Sequence, residues 1–218
     1  MIREKKRSRR GILFIILGLL MIGGALGLAL YNVWDAWRAG QEAETILEEL
    51  EDDMDKETDT VPSAPAMNLY TRETAPAMPL KTIDGYDYIG VLEIPDQGIR
   101  LPVMNTWDYT RLKISPCRFS GSYFTDDLVI CAHNYATHFS PIKWIGLGTD
   151  IYFITVDEVV YHYTVSNRET VQPTAVEEMI RNENNSGAEG VNSQWDLTLF
   201  TCNTGGQTRC AVRCDRVP

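Results

Sequence analysis

The longest uninterrupted hydrophobic stretch of the chain lies close to its N-terminus. Residues 11–31, GILFIILGLLMIGGALGLALY, contain no charged side chain. As a helix they would span about 30 Å, which is enough to cross the hydrocarbon core of a bilayer. A cleaved signal peptide has a shorter apolar run that ends at a small-residue cleavage site, whereas this run continues into Trp34 and Trp37, which suit a membrane interface. The pattern therefore predicts an uncleaved transmembrane anchor.

Beyond the apolar run, the chain becomes strongly acidic and then low in complexity. Residues 42–59 hold ten Asp or Glu against a single Lys, and residues 61–82 are rich in Pro and Ala. Ile46, Leu47 and Leu50 have a spacing that suits a short coiled seam. A solvated, self-repelling spacer fits the same residues, and we favour that interpretation because the acidic side chains dominate.

From residue 84 onward the pattern is that of short β-strands. The apolar runs are rich in Val, Ile, Tyr and Thr, and turns with Pro or Gly separate them. These runs are YDYIGVLEI, GIRLPVM, DDLVICAH, DIYFITV, EVVYHYTVS, WDLTLFTC and TRCAVRCDRV. Residues 174–183 alone have helical character, with Thr174 as the predicted N-cap. The pattern predicts an all-β domain over residues 84–218, either a barrel or a sandwich.

Charge predicts an orientation and excludes one class of partner. The net charge of −10 argues against nucleic-acid binding, which needs a basic face. Residues 1–10 carry six Lys or Arg against one Glu, so the positive-inside rule places this tail in the cytoplasm. We therefore expect a single-pass protein of the cell membrane, with a transmembrane anchor at 11–31, a stem and linker at 32–83, and an extracellular domain at 84–218.

The number and spacing of the cysteines limit what they can do. The five cysteines are Cys117, Cys131, Cys202, Cys210 and Cys214. An odd number leaves at least one thiol without a partner in the chain. The sequence leaves open a disulfide between Cys117 and Cys131 or between Cys210 and Cys214. The chain has no CxxC pair, so we predict no metal site.

Strand alternation separates the side chains near the C-terminus. If this segment is a strand, Cys210 and Cys214 share one face with Val212 and act as small apolar fillers. Arg209 and Arg213 then point to the opposite face.

Cys202 stands out because it ends the apolar run TLFTC and begins the loop NTGGQT. A nucleophilic cysteine needs a base or a cation that favours its thiolate, and histidine is the usual partner. His133 ends a predicted strand and is favoured over His138, which lies farther into the loop, while His162 lies within a strand. Arg209 follows across the Gly-Gly loop, and its guanidinium can hold a carbonyl oxygen or an oxyanion.

This combination resembles the sortases, the transpeptidases of Gram-positive cell surfaces. Their signature is TLxTC, followed by an arginine on the next strand and preceded by a histidine well upstream. Here the signature reads as residues 198–202, Arg209, and His133 within CAHN. The resemblance covers residues 84–218 and implies a closed eight-stranded β-barrel with one or two short helices.

The resemblance also implies a reaction. Cys202 would attack the threonine carbonyl of an LPxTG-like sorting signal on a surface protein, His133 would act as general acid and base, and Arg209 would stabilise the oxyanion. An amine acceptor, either a lipid-linked cell-wall precursor or a pilin lysine, would resolve the thioester without any cofactor. The residues expected to contact the substrate are Thr201, Asn134 and Leu199.

Several departures from the family pattern favour a class A-, D- or E-like sortase. The loop between Cys202 and Arg209 is short, and Asn203 stands where some relatives carry Asp. Residues 167–195 hold one short helical candidate, which argues against class B. No second membrane segment follows the last predicted strand before Pro218, and no DPW- or DPF-type lid is obvious, which argues against class C. No calcium site is predicted.

Two alternative functions belong to other classes. A secreted-side cysteine peptidase or amidase would use the same nucleophile, but papain-like chains place Cys before His, and here His133 precedes Cys202. A catalytically inactive peptide-binding module would not need all three candidate side chains.

Overall fold

The chain folds as two compact units, residues 1–38 and residues 39–218. A computed structural model describes residues 9–54, 64–65, 70–182 and 194–218. Helix α1, Arg9–Met54, contributes to both units.

The first unit is the apolar part of helix α1. Its most apolar window has a mean hydropathy of 2.6, and none of that window is buried in the protein. Within the described parts of the chain, α1 is the one helix whose length and composition suit a membrane span. A helix satisfies every backbone hydrogen bond within itself, which is what a chain in hydrocarbon requires.

The second unit is built on a closed β-barrel. Its strands are β1 (Lys81–Ile83), β2 (Tyr86–Ile94), β3 (Ile99–Met104), β4 (Cys117–Ser120), β5 (Leu128–Cys131), β6 (Asp150–Thr155), β7 (Val160–Val171), β8 (Leu197–Cys202) and β9 (Arg209–Arg216). The order around the barrel is β2-β3-β4-β5-β8-β9-β7-β6, and β6 pairs with β2 to close the ring, while β1 extends β2. Closure leaves the eight ring strands without a free edge. The predicted eight-stranded barrel is confirmed.

The strands follow the hydrophobic runs closely, and the shortest elements are where prediction and structure differ. Strand β2 matches its predicted run, whereas the three- and four-residue strands β1 and β4 are too short to show a pattern. Helix α2, Val176–Ile180, is shorter than predicted, and Ala175 rather than Thr174 occupies the N-cap. The backbone turns extended at Arg181, so the helix stops there. The last residue of the predicted helix, 183, lies outside the described residues.

Apolar side chains form two clusters, one inside the barrel and one on its outer surface. Alternation along each strand assigns neighbouring residues to different clusters. The inner cluster includes Leu92, Ile130, Phe153, Leu199 and Val212. The outer cluster includes Val91, Cys131, Phe200 and Ala211, together with residues of α1. The barrel wall therefore has an apolar patch on its outside as well as a filled interior.

The C-terminal part of α1 covers part of this wall. The residues that it buries are Ala39, Ala43, Ile46 and Leu50. Their spacing of four, three and four places them on one helical stripe. Ala43 joins the inner cluster, whereas Ile46 and Leu50 join the outer one, and Glu51 accepts a hydrogen bond of 2.7 Å from Arg100 of β3. The solvated-spacer interpretation is therefore wrong for residues 39–50, because the acidic side chains occupy only the faces beside this stripe.

Replacing Leu50 by Ala should lower the free energy of unfolding of the barrel by about 2–5 kcal/mol, since the change removes a fully buried side chain from the outer cluster. Urea denaturation of the full chain in detergent, followed by near-ultraviolet circular dichroism, measures this loss. Glu49→Ala, at an exposed position of the same turn, is the control and should stay within about 0.5 kcal/mol of wild type. Equal stability of the two variants would contradict the packing of α1.

Candidate active site

Cys202 lies on the outer face of the barrel wall, at the end of β8. Leu199 belongs to the inner cluster and Phe200 to the outer one, so Cys202, two residues beyond Phe200, also points outward. Its side chain is half-buried, whereas the other four cysteines are buried. The thiol therefore opens onto the outside of the barrel rather than into its mouth, and a bound chain can reach it there.

Arg209 lies directly opposite Cys202, because the β8–β9 register pairs the two residues. Directly opposed residues of antiparallel strands have neighbouring side chains. The Arg209 guanidinium donates hydrogen bonds to the carbonyl oxygens of Gly206 (3.0 Å) and Thr208 (3.2 Å). Gly205 and Gly206 have φ angles of 85° and 72°, which favour glycine. The Gly-Gly loop thus folds back and holds the guanidinium, and Arg209 and Cys202 line the same cavity.

His133 reaches the same face through the parallel pairing of β5 with β8. The ladder continues past the end of β5, since the amide of Ala132 donates to the carbonyl of Phe200 at 3.2 Å. The hydroxyl of Thr201 donates to the carbonyl of Ala132 at 2.8 Å. These bonds anchor the residue before His133 to the strand that carries Cys202, although the two segments lie far apart in the sequence.

The three predicted catalytic side chains line one cavity of about 210 Å³. The described residues that form the rest of its wall are mostly aromatic or aliphatic. They include Trp107, Tyr109, Leu112, Phe119, Val176 and Met179. An apolar cleft with a few polar groups at one end is the usual form of a ligand site. This cavity can accept an extended peptide with apolar side chains and present one of its carbonyl groups to Cys202.

An aromatic row forms one side of the cavity, and sequence reasoning missed it. The ring centroids of Tyr109 and Trp107 lie 6.1 Å apart, those of Trp107 and Phe119 5.3 Å, and those of Phe119 and Phe200 5.1 Å. Asp108 holds the loop by accepting backbone hydrogen bonds from the two residues that follow Tyr109. The sequence feature that could have identified this row is TWDY, residues 106–109, which is unusually rich in aromatic residues for a loop.

The residues predicted to contact the substrate have different placements. Thr201 lines the cavity, but its hydroxyl is buried and bonded to the backbone. Leu199 has no exposed side chain and lies in the inner cluster, because strand alternation turns it away from the groove. Asn134 accepts a hydrogen bond of 2.6 Å from Lys143 and lies outside the cavity lining. The structure therefore brings Thr201 to the cavity and does not bring Leu199 or Asn134.

The other two histidines have structural surroundings. His138 is fully buried, and burial lowers its pKa to about 4. His162 contacts the carboxylate of Asp150 at 2.8 Å and stacks on the ring of Tyr152 with centroids 4.7 Å apart. Of the three histidines in the chain, His133 is the one that lines the cavity.

The strands exclude one of the two disulfides that the sequence leaves open. Cys210 and Cys214 lie four residues apart on one strand, a distance of about 13 Å, which no disulfide can span. Cys117 lies directly opposite Cys131 across β4 and β5, and both thiols are free. Burial raises the pKa of Cys131 and raises that of Cys117 to about 12, so both side chains are poor sources of thiolate.

The described parts of the chain contain no group of three or more His, Cys, Asp or Glu side chains that could hold a metal ion.

Arg213 is a buried structural cation, unlike Arg209. Its side chain is fully buried and donates hydrogen bonds to Glu169 (2.8 Å), to the hydroxyl of Thr198 (3.0 Å), and to the carbonyls of Glu178 (2.6 Å) and Met179 (2.9 Å). Burial lowers its pKa, and the carboxylate of Glu169 opposes this effect. Arg213 thereby joins β9 to α2, which supplies part of the cavity wall.

Comparison with protein families decides the identity of this barrel. The model of the Sortase domain matches residues 92–217, which is more than half of the chain. The chain belongs to the sortase family. The match includes the segments that carry His133, Cys202 and Arg209. Family and fold together support a function of the cysteine-transpeptidase type.

Solved structures with the same fold include several sortases. Sortase C of Streptococcus pneumoniae is 23% identical, with a TM-score of 0.51 over 83% of this chain and 93% of that protein. Sortase C1 of Streptococcus agalactiae is also 23% identical, with a TM-score of 0.50 over 63% and 71% of the two chains. A Clostridium perfringens sortase C, solved with the C-terminal cell wall sorting motif, is 19% identical, with a TM-score of 0.50 over 85% of this chain and 89% of that protein.

These likenesses show the fold alone, so the class A-, D- or E-like assignment stays a prediction. Comparison with curated proteins gave no match.

Arg209 and Arg213 of β9 should differ in their effect on the stability of this sortase. Arg213→Met should lower the free energy of unfolding by about 2–4 kcal/mol, because it leaves Glu169 and the carbonyls of α2 without their donor. Arg209→Met should stay within about 0.5 kcal/mol, since its partners lie in a surface loop. Urea denaturation measures both changes, and a larger loss for Arg209→Met would reverse these assignments.

Proposed function

We propose that this protein is a membrane-anchored sortase that cleaves an LPxTG-like sorting signal and transfers the acyl group to an amine. The observation that carries the proposal is the convergence of His133, Cys202 and Arg209 at one apolar cavity of about 210 Å³. Each of the three comes from the end of a different strand or from the segment that follows it, yet they share one face of the barrel wall.

The first half of the reaction forms a thioester. The thiolate of Cys202 attacks the threonine carbonyl of the signal, and the carbonyl oxygen becomes an oxyanion. The C–N bond to the following residue then breaks, and His133 donates a proton to the departing amine. The products of this half-reaction are a free amine and a Cys202 acyl-enzyme.

The second half reverses the proton transfer. An acceptor amine attacks the thioester carbonyl, His133 removes its proton, and the C–S bond breaks as the new amide bond forms. Attack by water in place of the amine would give simple hydrolysis.

Arg209 suits the role of oxyanion stabiliser. Its guanidinium is always protonated, lies opposite Cys202 in the register, and is held by two loop carbonyls. Preorganised donors beside the developing charge are among the largest contributions to enzymatic rates. The aromatic row that includes Trp107 and Phe119 offers an apolar surface for the first residues of the signal.

The partners and location follow from the same proposal. The sortase C of Clostridium perfringens was solved with a C-terminal cell wall sorting motif, which supports a surface protein with such a signal as the substrate here. A lipid-linked cell-wall precursor or a pilin lysine would supply the amine. The apolar part of α1 would cross the cell membrane with the basic N-terminal tail in the cytoplasm and the barrel outside.

Cys202→Ala should abolish both transfer and thioester formation, because the attacking sulfur is gone. The assay incubates the full chain with sorting-type peptides and candidate amines and identifies the products and the acyl-enzyme by mass spectrometry. Cys210→Ala is the matched control, since Cys210 is a buried cysteine of the inner cluster, and it should keep transfer activity. Turnover near the wild-type rate in Cys202→Ala would refute the nucleophile. Hydrolysis without transfer, in the presence of amines, would favour the peptidase alternative.

Arg209→Ala should lower kcat/KM by about 10²–10³, the usual effect of removing one oxyanion donor. Arg209→Lys keeps the charge but loses the fork geometry, so it should recover only part of the rate. Steady-state kinetics with a fluorogenic sorting peptide measures both variants. A rate within threefold of wild type for Arg209→Ala would argue against the oxyanion role.

A further inference from the structure

The stem segment, residues 39–50 of α1, lies against the segment that carries the catalytic histidine. This histidine segment, residues 133–140, connects β5 to the 3-10 helix Pro141–Trp144. A Cβ atom added to Gly40 would lie 2.7 Å from Cγ2 of Thr137 and 3.0 Å from its Cβ. A larger side chain at Gly40 would have to displace the side chain of Thr137, so the helix lies in close contact with the histidine segment.

The two residues after Thr137 are also fixed against this part of the protein. His138 is fully buried beside the backbone of Ala39. Phe139 is fully buried in the inner cluster, which also contains Ala43 of the stem segment. The far end of the histidine segment is therefore packed against α1 and the barrel interior together.

A short chain of contacts leads from these residues back to His133. The ring of Tyr135 contacts both imidazoles, with its centroid 5.4 Å from that of His138 and 4.9 Å from that of His133. The amide of Phe139 donates to the carbonyl of His133 at 3.2 Å, and the amide of Ser140 donates to the carbonyl of Tyr135 at 3.0 Å. The segment is thus a compact loop, in which Tyr135 and Phe139, on either side of Thr137, both contact His133.

We propose that the stem segment is a positioning element for the catalytic histidine, acting through the Gly40–Thr137 contact and the ring of Tyr135. The proposal rests on the acid and base role of His133 given above. An imidazole that moves a proton between thiol and amine must lie within hydrogen-bond reach of both. A displacement of about 1 Å at such a group can cost about 10²-fold in rate.

The contact at Gly40 can be separated from the general stability of the stem. Ile46 and Leu50, farther along the helix, supply the apolar burial on the barrel wall. Alanine is a better helix former than glycine by about 1 kcal/mol, so Gly40→Ala by itself favours the helix. A loss of activity in this variant would therefore arise from the contact with Thr137 and not from a weaker helix.

A double-mutant cycle in the full chain tests the coupling. Gly40→Ala should lower kcat about tenfold with KM nearly unchanged and with the melting temperature within about 3 °C of wild type. Thr137→Ser removes the methyl group nearest to the added Cβ, so the double variant should recover at least threefold in kcat over Gly40→Ala. Gly27→Ala is the matched control, because its added Cβ meets no described atom within 4 Å, and it should leave kcat unchanged.

Variants of Tyr135 test the contact between its ring and the imidazole of His133. Tyr135→Phe keeps the ring and should keep most of kcat, whereas Tyr135→Leu should lower kcat with little effect on KM. An unchanged kcat in Gly40→Ala, or a loss that Thr137→Ser does not relieve, would overturn the proposal.

The variant His133→Ala distinguishes a failure of the positioning role from a failure of the proposed function. If His133→Ala abolishes transfer while Gly40→Ala does not affect it, the positioning role alone is wrong. If transfer survives in His133→Ala, the assigned acid and base is wrong, and the positioning role fails with it.

Discussion

The parallel pairing of β5 with β8 is the constraint on which the candidate site depends. Residues 128–131 and 197–202 are almost seventy positions apart, and the ladder between them sets the height of His133 relative to Cys202. The bond from the Thr201 hydroxyl to the carbonyl of Ala132 continues this ladder one residue past the strand. Because side chains alternate along both strands, a shift of one residue would turn either group into the barrel interior. The hairpin β8–β9 then adds Arg209 to the same face.

Packing on the outside of the barrel turns this row of side chains into a groove. Helix α2 is too short to be stable alone, and the buried guanidinium of Arg213 holds its carbonyls against β9. The aromatic row from Tyr109 to Phe200 forms another side of the same groove. The stem of α1 covers a further part of the wall and contacts the histidine segment. The outer surface of the barrel is therefore a second core, and the site lies within it.

Much of this arrangement was accessible from the sequence, and the omissions have physical causes. The apolar span, the main strands and the TLFTC signature depend on local composition and on the alternation of side chains, which a sequence displays directly. The burial of Ile46 and Leu50 was missed because the surrounding carboxylates suggested a solvated helix, although an amphipathic helix needs only one apolar stripe to pack. The position of Trp107 in the cavity wall was missed because only the fold brings its loop beside Phe119.

The sequence by itself determined the hydrophobic periods, and these are sufficient for a membrane-length helix, an all-β domain and a cysteine at a strand end. It also assigned the side chains of β9 to two faces, since alternation is a property of any extended chain. Only the tertiary structure decided which faces meet. The β8–β9 register places Cys202 opposite Arg209, and the pairing of β8 with the distant β5 brings the His133 segment beside it. Barrel closure then decides that the face with Leu199 is the interior.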